Sequence, residues 1–342
     1  MRKPIVVVGS VNLDLTVSVA RLPVPGETVT GSVFRTFFGG KGANQAVGVA
    51  RLNYPVSIIA KVGDDDIGKR LRMGLRGAGV GTRAVGVAKR TSSGIALITT
   101  VTGGQNSIVV VPGANGELLP ADVRAHETLI KNAGMILTQI EMPLETLICT
   151  ASVARRHGVP VMLDPAPARD LPLELLRQIT WLTPNETESC LMCGLPAGSI
   201  TPENVVRHAE ELLRRGPENV VIKMGEQGSY LANKSGQRCL VPAFRVPTVD
   251  STAAGDAFNA GLAVALMRGE GLEKAMRFAS AAAALSVTKQ GAQSSMASAR
   301  DVMRFLRNPK SASPRRGMRE QPNTRKTASL ISKGEVGSWE KM

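Results

Sequence analysis

The chain has 342 residues, 43% hydrophobic and 3% aromatic, with a formal net charge of +14. That is ample apolar material for one large core or two modest ones, and charged residues, glycines or prolines interrupt every run that would otherwise approach a membrane span. The basic balance permits loose attraction to anions, but a dedicated nucleic-acid surface interleaves its bases with aromatic side chains, and the low aromatic content argues against one. Residues 4–9 (Pro-Ile-Val-Val-Val-Gly) read as a buried strand ending at Gly9-Ser10. Leu15, Val17, Val19 and then Thr28 to Phe38 alternate around the turn Pro23-Val24-Pro25-Gly26, and Gly94–Thr102 with Asn106–Val111 form a second pair around Gly103-Gly104. These strands, within about 15–38 and 94–111, are expected to make a small β-sheet lid. After Leu52 the pattern becomes α/β: a strand at 56–61, a helix at 66–77, strands at 134–138 and 159–163 about a helix at 143–157, strands at 180–183 and 218–222, and Ala-rich helices at 254–268 and 271–288. The alternation predicts a doubly wound, mostly parallel sheet flanked by helices, with ligands at the carboxyl ends of its strands. The domain is expected to cover 1–308. Residues 309–342 carry eight Lys/Arg against three Glu, three prolines and no sustained apolar period, the composition of a basic, disordered tail.

Several motifs dissolve on inspection. Gly63-Asp64-Asp65-Asp66-Ile67-Gly68-Lys69-Arg70 mimics a phosphate-binding loop, but Arg70 stands where Ser/Thr would hold magnesium and three aspartates would repel phosphate. Gly79-Val80-Gly81-Thr82-Arg83-Ala84 follows a predicted helix rather than a strand, so a plain turn is expected. Cys190-Leu191-Met192-Cys193 has metal-like spacing without a second Cys/His pair and reads as core packing. His126, His157 and His208 lack partners at ligand spacing and are expected at the surface. Cys149 and Cys239 complete a set without secreted-framework spacing, and Met1-Arg2-Lys3-Pro4 runs into a strand rather than a signal-peptide core, so a reducing cytoplasm is the expected compartment.

Two helix starts carry the chemistry. Asp250-Ser251-Thr252-Ala253-Ala254-Gly255-Asp256-Ala257-Phe258 opens an apolar helix with small residues and a carboxylate in its first turn. Free N–H groups at a helix start attract anions, and the small residues let one approach. Asp256 is odd there unless it faces a nucleophile; the bland reading is a first-turn capping acid. Phe38-Gly39-Gly40-Lys41-Gly42-Ala43-Asn44 repeats the pattern, with Lys41 and Asn44 suited to a hydroxylated ligand. Asn12 and Asp14 follow the first strand on one face, where an amide and a carboxylate can pair with vicinal hydroxyls. Glu141 precedes a proline-started helix, and Asn185-Glu186-Thr187-Glu188 reads either as a capped helix start or as part of the site.

In order along the chain, both helix starts, Gly9-Ser10-Val11-Asn12-Leu13-Asp14, Thr183-Pro184-Asn185-Glu186-Thr187-Glu188 and Thr288-Lys289-Gln290-Gly291-Ala292-Gln293 resemble the signature regions of the ribokinase-like (PfkB) sugar kinase family, over roughly residues 4–307. The resemblance implies ATP-dependent phosphorylation of a sugar hydroxyl, the 5-hydroxyl of ribose first, with deoxyribose, fructose or a nucleoside as alternative acceptors. A non-enzymatic sugar-binding relative would be expected to have lost Asp256 or the Gly39-Gly40 pair. It further implies Asp256 as the base and the N–H groups of Ala253, Ala254 and Gly255 as the anion hole. Asn12, Asp14, Gly40, Lys41, Asn44 and Glu141 would contact the sugar. Asn185 and Glu188 would act near Mg2+, and Lys223, Gly225 and Gly228 with Gly255 would bind the nucleotide. Asp250, Thr252, Ser286, Lys289, Gly291 and Ser295 stand at the positions of a K+ site, several through carbonyls alone. A homodimer joined through the lids is the implied assembly.

Overall fold

Four consecutive branched aliphatic residues make a strand that is apolar on both faces and must be covered on both. In the computed structural model, which describes residues 2–101, 106–196, 198 and 200–309, they form Ile5–Val8 (β1), near the middle of a nine-stranded sheet. The remaining elements follow in order: Asn12–Val19 (β2), Gly31–Gly39 (β3), Lys41–Arg51 (α1), Val56–Gly63 (β4), Asp66–Gly77 (α2), Val85–Ala88 (β5), Gly94–Val101 (β6) and Asn106–Val111 (β7). Pro120–Ala125 (α3), Glu127–Lys131 (α4), Met135–Thr138 (β8), Leu144–Arg156 (α5), Val161–Leu163 (β9), Leu173–Leu176 (α6) and Trp181–Leu182 (β10) come next. Glu186–Met192 (α7), Val205–Arg214 (α8), Asn219–Lys223 (β11), Ser229–Asn233 (β12), Arg238–Val241 (β13), Ala254–Met267 (α9), Leu272–Ser286 (α10) and Ala299–Arg307 (α11) complete the fold.

The large sheet runs β13-β12-β11-β10-β9-β8-β1-β4-β5. From β11 to β5 every pairing is parallel, and β12 and β13 add an antiparallel edge. The alternation of side chains along a strand sends Ile5 and Val7 into one core with residues of α1, α9 and α10, and Val6 and Val8 into a second core with residues of α5 and α8. Helices therefore cover both faces, as the α/β alternation predicts. The antiparallel edge lies outside the predicted elements, although Gly228 and the turn at Ser235-Gly236 bracket it; Ser229–Asn233 is buried throughout, so it lacks the half-exposed alternation that marks an antiparallel strand.

A second sheet, ordered β3-β2-β6-β7, is the expected lid. Its central pair, β2 and β6, is parallel and each outer pair antiparallel. Asn12 and Asp14 open β2 and so stand at the root of the lid. The expected turn at Gly103-Gly104 and the tail from 310 onward lie outside the described residues.

The decoy motifs resolve into structure. Asp65 caps α2 by accepting from the Gly68 N–H at 2.7 Å, and also accepts from Ser93. Cys190 is buried and burial pushes the Cys193 thiol up to about 11; among the described residues no His/Cys/Asp/Glu cluster suits a metal. One expectation is corrected: His208 is buried, on the core side of α8, where desolvation lowers its pKa. Among the described residues no helix is long and apolar enough to cross a membrane.

Candidate active site

Helices α1 and α9 pack against each other beside the carboxyl ends of β1 and β8 and bring the two small-residue starts together. Gly40 allows this: its φ of +84° is open to glycine, and a Cβ there would lie 2.7 Å from the Asn12 backbone nitrogen. The first α1 amide, Lys41 N–H, is capped by Glu141 Oε2 at 3.1 Å; Ser10 Oγ donates to the same oxygen at 2.5 Å. A carboxylate at that helix end is favoured by the dipole. Asn44 and Gln45, one turn further, both face α9.

Asp256 is 3% exposed. It caps nothing: its Oδ2 accepts from Asn44 Nδ2 and its Oδ1 from Gln45 Nε2, both at 3.0 Å. Burial, the largest influence, pushes its pKa up to about 6; Lys41 pulls it down, Asp164 adds to the rise, and the two amide bonds oppose it. Asp14 rises to about 7 through burial, then Glu141 and Asp256. Burial works against the charge of Lys41, yet Asp256, Asp164, Glu141 and Glu188 together raise its pKa, leaving a fixed cation amid carboxylates.

The α9 start differs from ordinary caps. Ala253 sits at φ +61°, a left-handed conformation that alanine adopts at a cost. The Ala254 N–H turns back to the Ser251 carbonyl at 3.2 Å, so one of the three expected anion-hole donors already has a partner. Those of Ala253 and Gly255 have none among the described residues, nor does that of Asp256. Beside them lies a cleft of about 570 Å³ lined by Lys223, Gly225, Gly228, Phe244, Ser251 and Gly255. A second cleft, about 430 Å³, separates the lid from the 250–252 and 290–292 loops and is lined by Asp14, Arg35, Phe37, Asp250 and Thr252 among others.

Asn185 and Glu188 form a complete capping box at α7, with Glu188 N–H donating to Asn185 Oδ1 and Asn185 N–H to Glu188 Oε2, both at 2.8 Å. Glu188 is nevertheless buried, and its pKa is raised by burial and by Asp164, against Lys223 and Lys41. Asp250 accepts from the N–H groups of Thr252 and Gly291, each at 2.9 Å, tying the two loops together and lowering its pKa against the effect of burial. Ser286 and Ser295 are buried and donate to the carbonyls of Ala283 and Ala292. Lys289 is exposed.

Four residues in this setting lie outside the sequence-based set. Asp164, just past β9, binds Lys223 Nζ at 2.9 Å. Gln45 joins Asp164 to Asp256. Asn115 donates to Asn12 Oδ1 at 2.7 Å and accepts from the Val11 N–H, and Ser10 supports Glu141. Only the position of Asp164 at the carboxyl end of a predicted strand gave a usable signal.

Comparison with known proteins places the chain in a family. The pfkB family carbohydrate kinase model matches residues 2–299. The chain is 39% identical over 306 residues to a ribokinase of Haemophilus influenzae, covering 90% of this chain and 99% of that one. It is 38% identical over 304 residues to a deoxyribokinase of Salmonella typhi, covering 88% and 98%. Its fold matches the structure of Arabidopsis thaliana ribokinase complexed with ribose and ATP at a TM-score of 0.84 and 37% identity, covering 90% of this chain and 99% of that one. The chain belongs to the pfkB family of carbohydrate kinases and catalyses ATP-dependent phosphorylation of a sugar acceptor.

Proposed function

We propose that the acceptor is D-ribose, phosphorylated at O5 to give ribose 5-phosphate and ADP. The observation that carries this reading is Asp256, buried between two amide donors at the open start of α9 and within electrostatic reach of Asp14 and Lys41. A pocket with this many polar groups suits a small polyol. The likeness to ribokinases, one of them solved with ribose and ATP, supports ribose, and the comparable likeness to a deoxyribokinase makes 2-deoxyribose the acceptor to test against it.

In this reading Asp256 orients the 5-hydroxyl and takes its proton as the phosphoryl group is transferred; each carboxylate oxygen keeps a lone pair beyond its amide bond. A loose transition state needs positioning more than a strong base. Asp14, Asn12, Lys41, Asn44, Glu141 and the Gly40 backbone hold the sugar. The free N–H groups of Ala253 and Gly255 stabilise charge on the transferring phosphoryl, and Lys223, Gly225 and Gly228 bind the nucleotide from the larger cleft.

No cluster of acids among the described residues would ligate a metal directly, so the fit is to a magnesium ion that keeps its water shell. Lys41 lies among the carboxylates of Asp256, Asp164, Glu141 and Glu188, and Lys223 pairs with Asp164, so the acids here outnumber the bases. Asn185 and Glu188, with Asp164 alongside, would hold the ion through water; it would neutralise phosphate charge. The Asp250 and Ser286–Ser295 loops fit a monovalent cation, since they offer hydroxyl and carbonyl oxygens. A bound K+ would keep Asp250 and Gly291 in register beside the anion hole, and rates in potassium well above those in sodium or choline at equal ionic strength test this. The exposed apolar lid residues Phe34, Ile108 and Val109 support a dimer formed lid to lid, which sedimentation tests. The four free cysteines accord with a reducing cytoplasm.

The decisive experiment is an acceptor screen with ATP and magnesium. Ribose should exceed 2-deoxyribose, fructose and adenosine in kcat/KM, by up to about ten-thousand-fold where a buried group is left unpaired. A preference for any of the others reassigns the acceptor.

A further inference from the structure

Position 45 lies on the buried face of α1, among Ala43, Ala46 and Val47. Gln45 is 1% exposed. A buried amide is costly unless its hydrogen bonds are made. Here they are: Nε2 donates to Asp256 Oδ1 at 3.0 Å and to Asp164 Oδ2 at 3.2 Å, while Oε1 accepts from Gln139 Nε2 at 2.7 Å. An ionised carboxylate only accepts, so the nitrogen must face the two aspartates; the oxygen must then meet a donor, and Gln139 supplies it.

The two carboxylates thereby joined are themselves pinned at their far oxygens. Asn44 holds Asp256 Oδ2, and Lys223 holds Asp164 Oδ1. Lys223 lines the cleft next to Gly255; a Cβ at Gly255 would lie 3.3 Å from its Nζ. A continuous series of hydrogen bonds therefore runs from Lys223 through Asp164 and Gln45 to Asp256, with Gln45 as the link between the nucleotide-facing half and the acceptor-facing half.

We propose that Gln45 is a positioning residue of the transfer: its carboxamide fixes the Asp256 carboxylate toward the acceptor hydroxyl and holds Asp164 beside it. This rests on the reading of Asp256 as the base. Truncating the amide would leave two buried carboxylates facing each other without a shared donor, and Asp256 held through Asn44 at one oxygen only. A misplacement of about 1 Å can cost on the order of a hundredfold.

The test uses the full-length chain with Gln45→Met, which keeps the volume but removes the amide, beside Asp256→Asn. Gln45→Met should lower kcat by about 10–100-fold with KM for ribose and ATP within about threefold, as expected when an interaction acts mainly in the transition state. The acid limb of kcat/KM against pH should move up by about one pH unit, because a donor that favoured ionised Asp256 is gone. Gln139→Leu, which frees the Gln45 amide without touching either aspartate, should move both quantities the same way by less. It also serves if Gln45→Met fails to fold. A folded Gln45→Met, or Gln139→Leu in its place, with kcat within twofold and an unmoved acid limb overturns the proposal, as does a loss confined to KM. If Asp256→Asn itself stays active, the base assignment fails instead, whatever the glutamine variants do.

Discussion

Helices α1 and α9 begin with similar sequences, small residues leading into a polar side chain, yet their starts are built for opposite purposes. At α1 the N–H groups are consumed by protein: Lys41 by Glu141, Gly42 by Ser10 Oγ at 3.4 Å, Ala43 by the Ser10 carbonyl at 2.9 Å. Its glycines are packing devices, since a Cβ on Gly42 would lie 2.6 Å from the Gly9 carbonyl carbon. At α9 the start is open, with the N–H groups of Ala253, Gly255 and Asp256 unpaired among the described residues. A closed start holds side chains, and an open one receives an anion. Small residues before a helix thus mark either close packing or ligand access, and only the fate of the backbone donors separates the two.

The largest effect should come from Asp256, which projects from the open start. Asp256→Asn keeps the shape and removes the proposed base; kcat should fall by roughly 10²–10⁴-fold while ribose and nucleotide affinities stay within several-fold, as steady-state kinetics with calorimetric titration would report. Turnover near that of the parent would leave Asp256 a structural acid and erase the functional side of the contrast.

Next come the glycines. Gly40→Ala meets backbone atoms of Val11 and Asn12 and a φ of +84°, so it should destabilise by about 1–3 kcal/mol from the contact, with a further 1–2 kcal/mol or so from the left-handed backbone. Gly255→Ala meets only the end of the Lys223 side chain, at 3.3 Å, so its stability should change by less than about 1 kcal/mol while activity drops by about 10–100-fold. Thermal melts and rates measured on both variants would reverse the comparison if Gly40→Ala proved stable and Gly255→Ala active.

The sequence carries this contrast only in part. The central α/β alternation was legible because periodicity is local: β1 and α2 lie close to where their patterns place them. The two helix starts were legible as motifs. The left-handed Ala253 was not, because that conformation usually selects glycine or asparagine. Nor was the arrangement of Gln139, Gln45, Asp164 and Asp256. Its hydrogen bonds join residues 94 to 211 positions apart, and an isolated glutamine in an apolar helix has no pattern of its own. Asn185 and Glu188 illustrate the converse, since a capping box is readable from the sequence whether or not the same carboxylate also serves a site.

A smaller effect concerns pH. Asp14 rises from 3.8 to about 7 in the folded protein and Asp256 to about 6, so the folded state retains protons the unfolded chain has lost. Stability therefore falls as pH rises through these values. His208, lowered from 6.5 by burial, acts in the opposite sense below that pH, which confines the clean window to pH 6.5–8. Across it the ligand-free protein should lose about 1 kcal/mol, chiefly through Asp14, or roughly 2–4 °C in Tm, while kcat/KM rises as the carboxylates ionise. Asp14→Asn should flatten the melting trend. Stability rising with pH in the parent would place the charge imbalance elsewhere.

The smallest effect tests whether the open start depends on alanine at its left-handed residue. Ala253 at φ +61° carries a cost of about 1–2 kcal/mol relative to a relaxed residue. Ala253→Gly removes that cost but enlarges the unfolded ensemble, by about 0.4–1 kcal/mol. The two nearly cancel, so Tm should move by no more than a few degrees. The backbone donors stay where they are, so kcat should remain within about threefold. Ala253→Val makes the complementary measurement, because a β-branched side chain is a poor fit to that backbone and should cost both stability and turnover. A large loss of activity in Ala253→Gly would show that the alanine methyl, which packs on the core beneath α9, holds the anion-hole loop in place. The open start would then owe its shape to side-chain packing as well as to the turn.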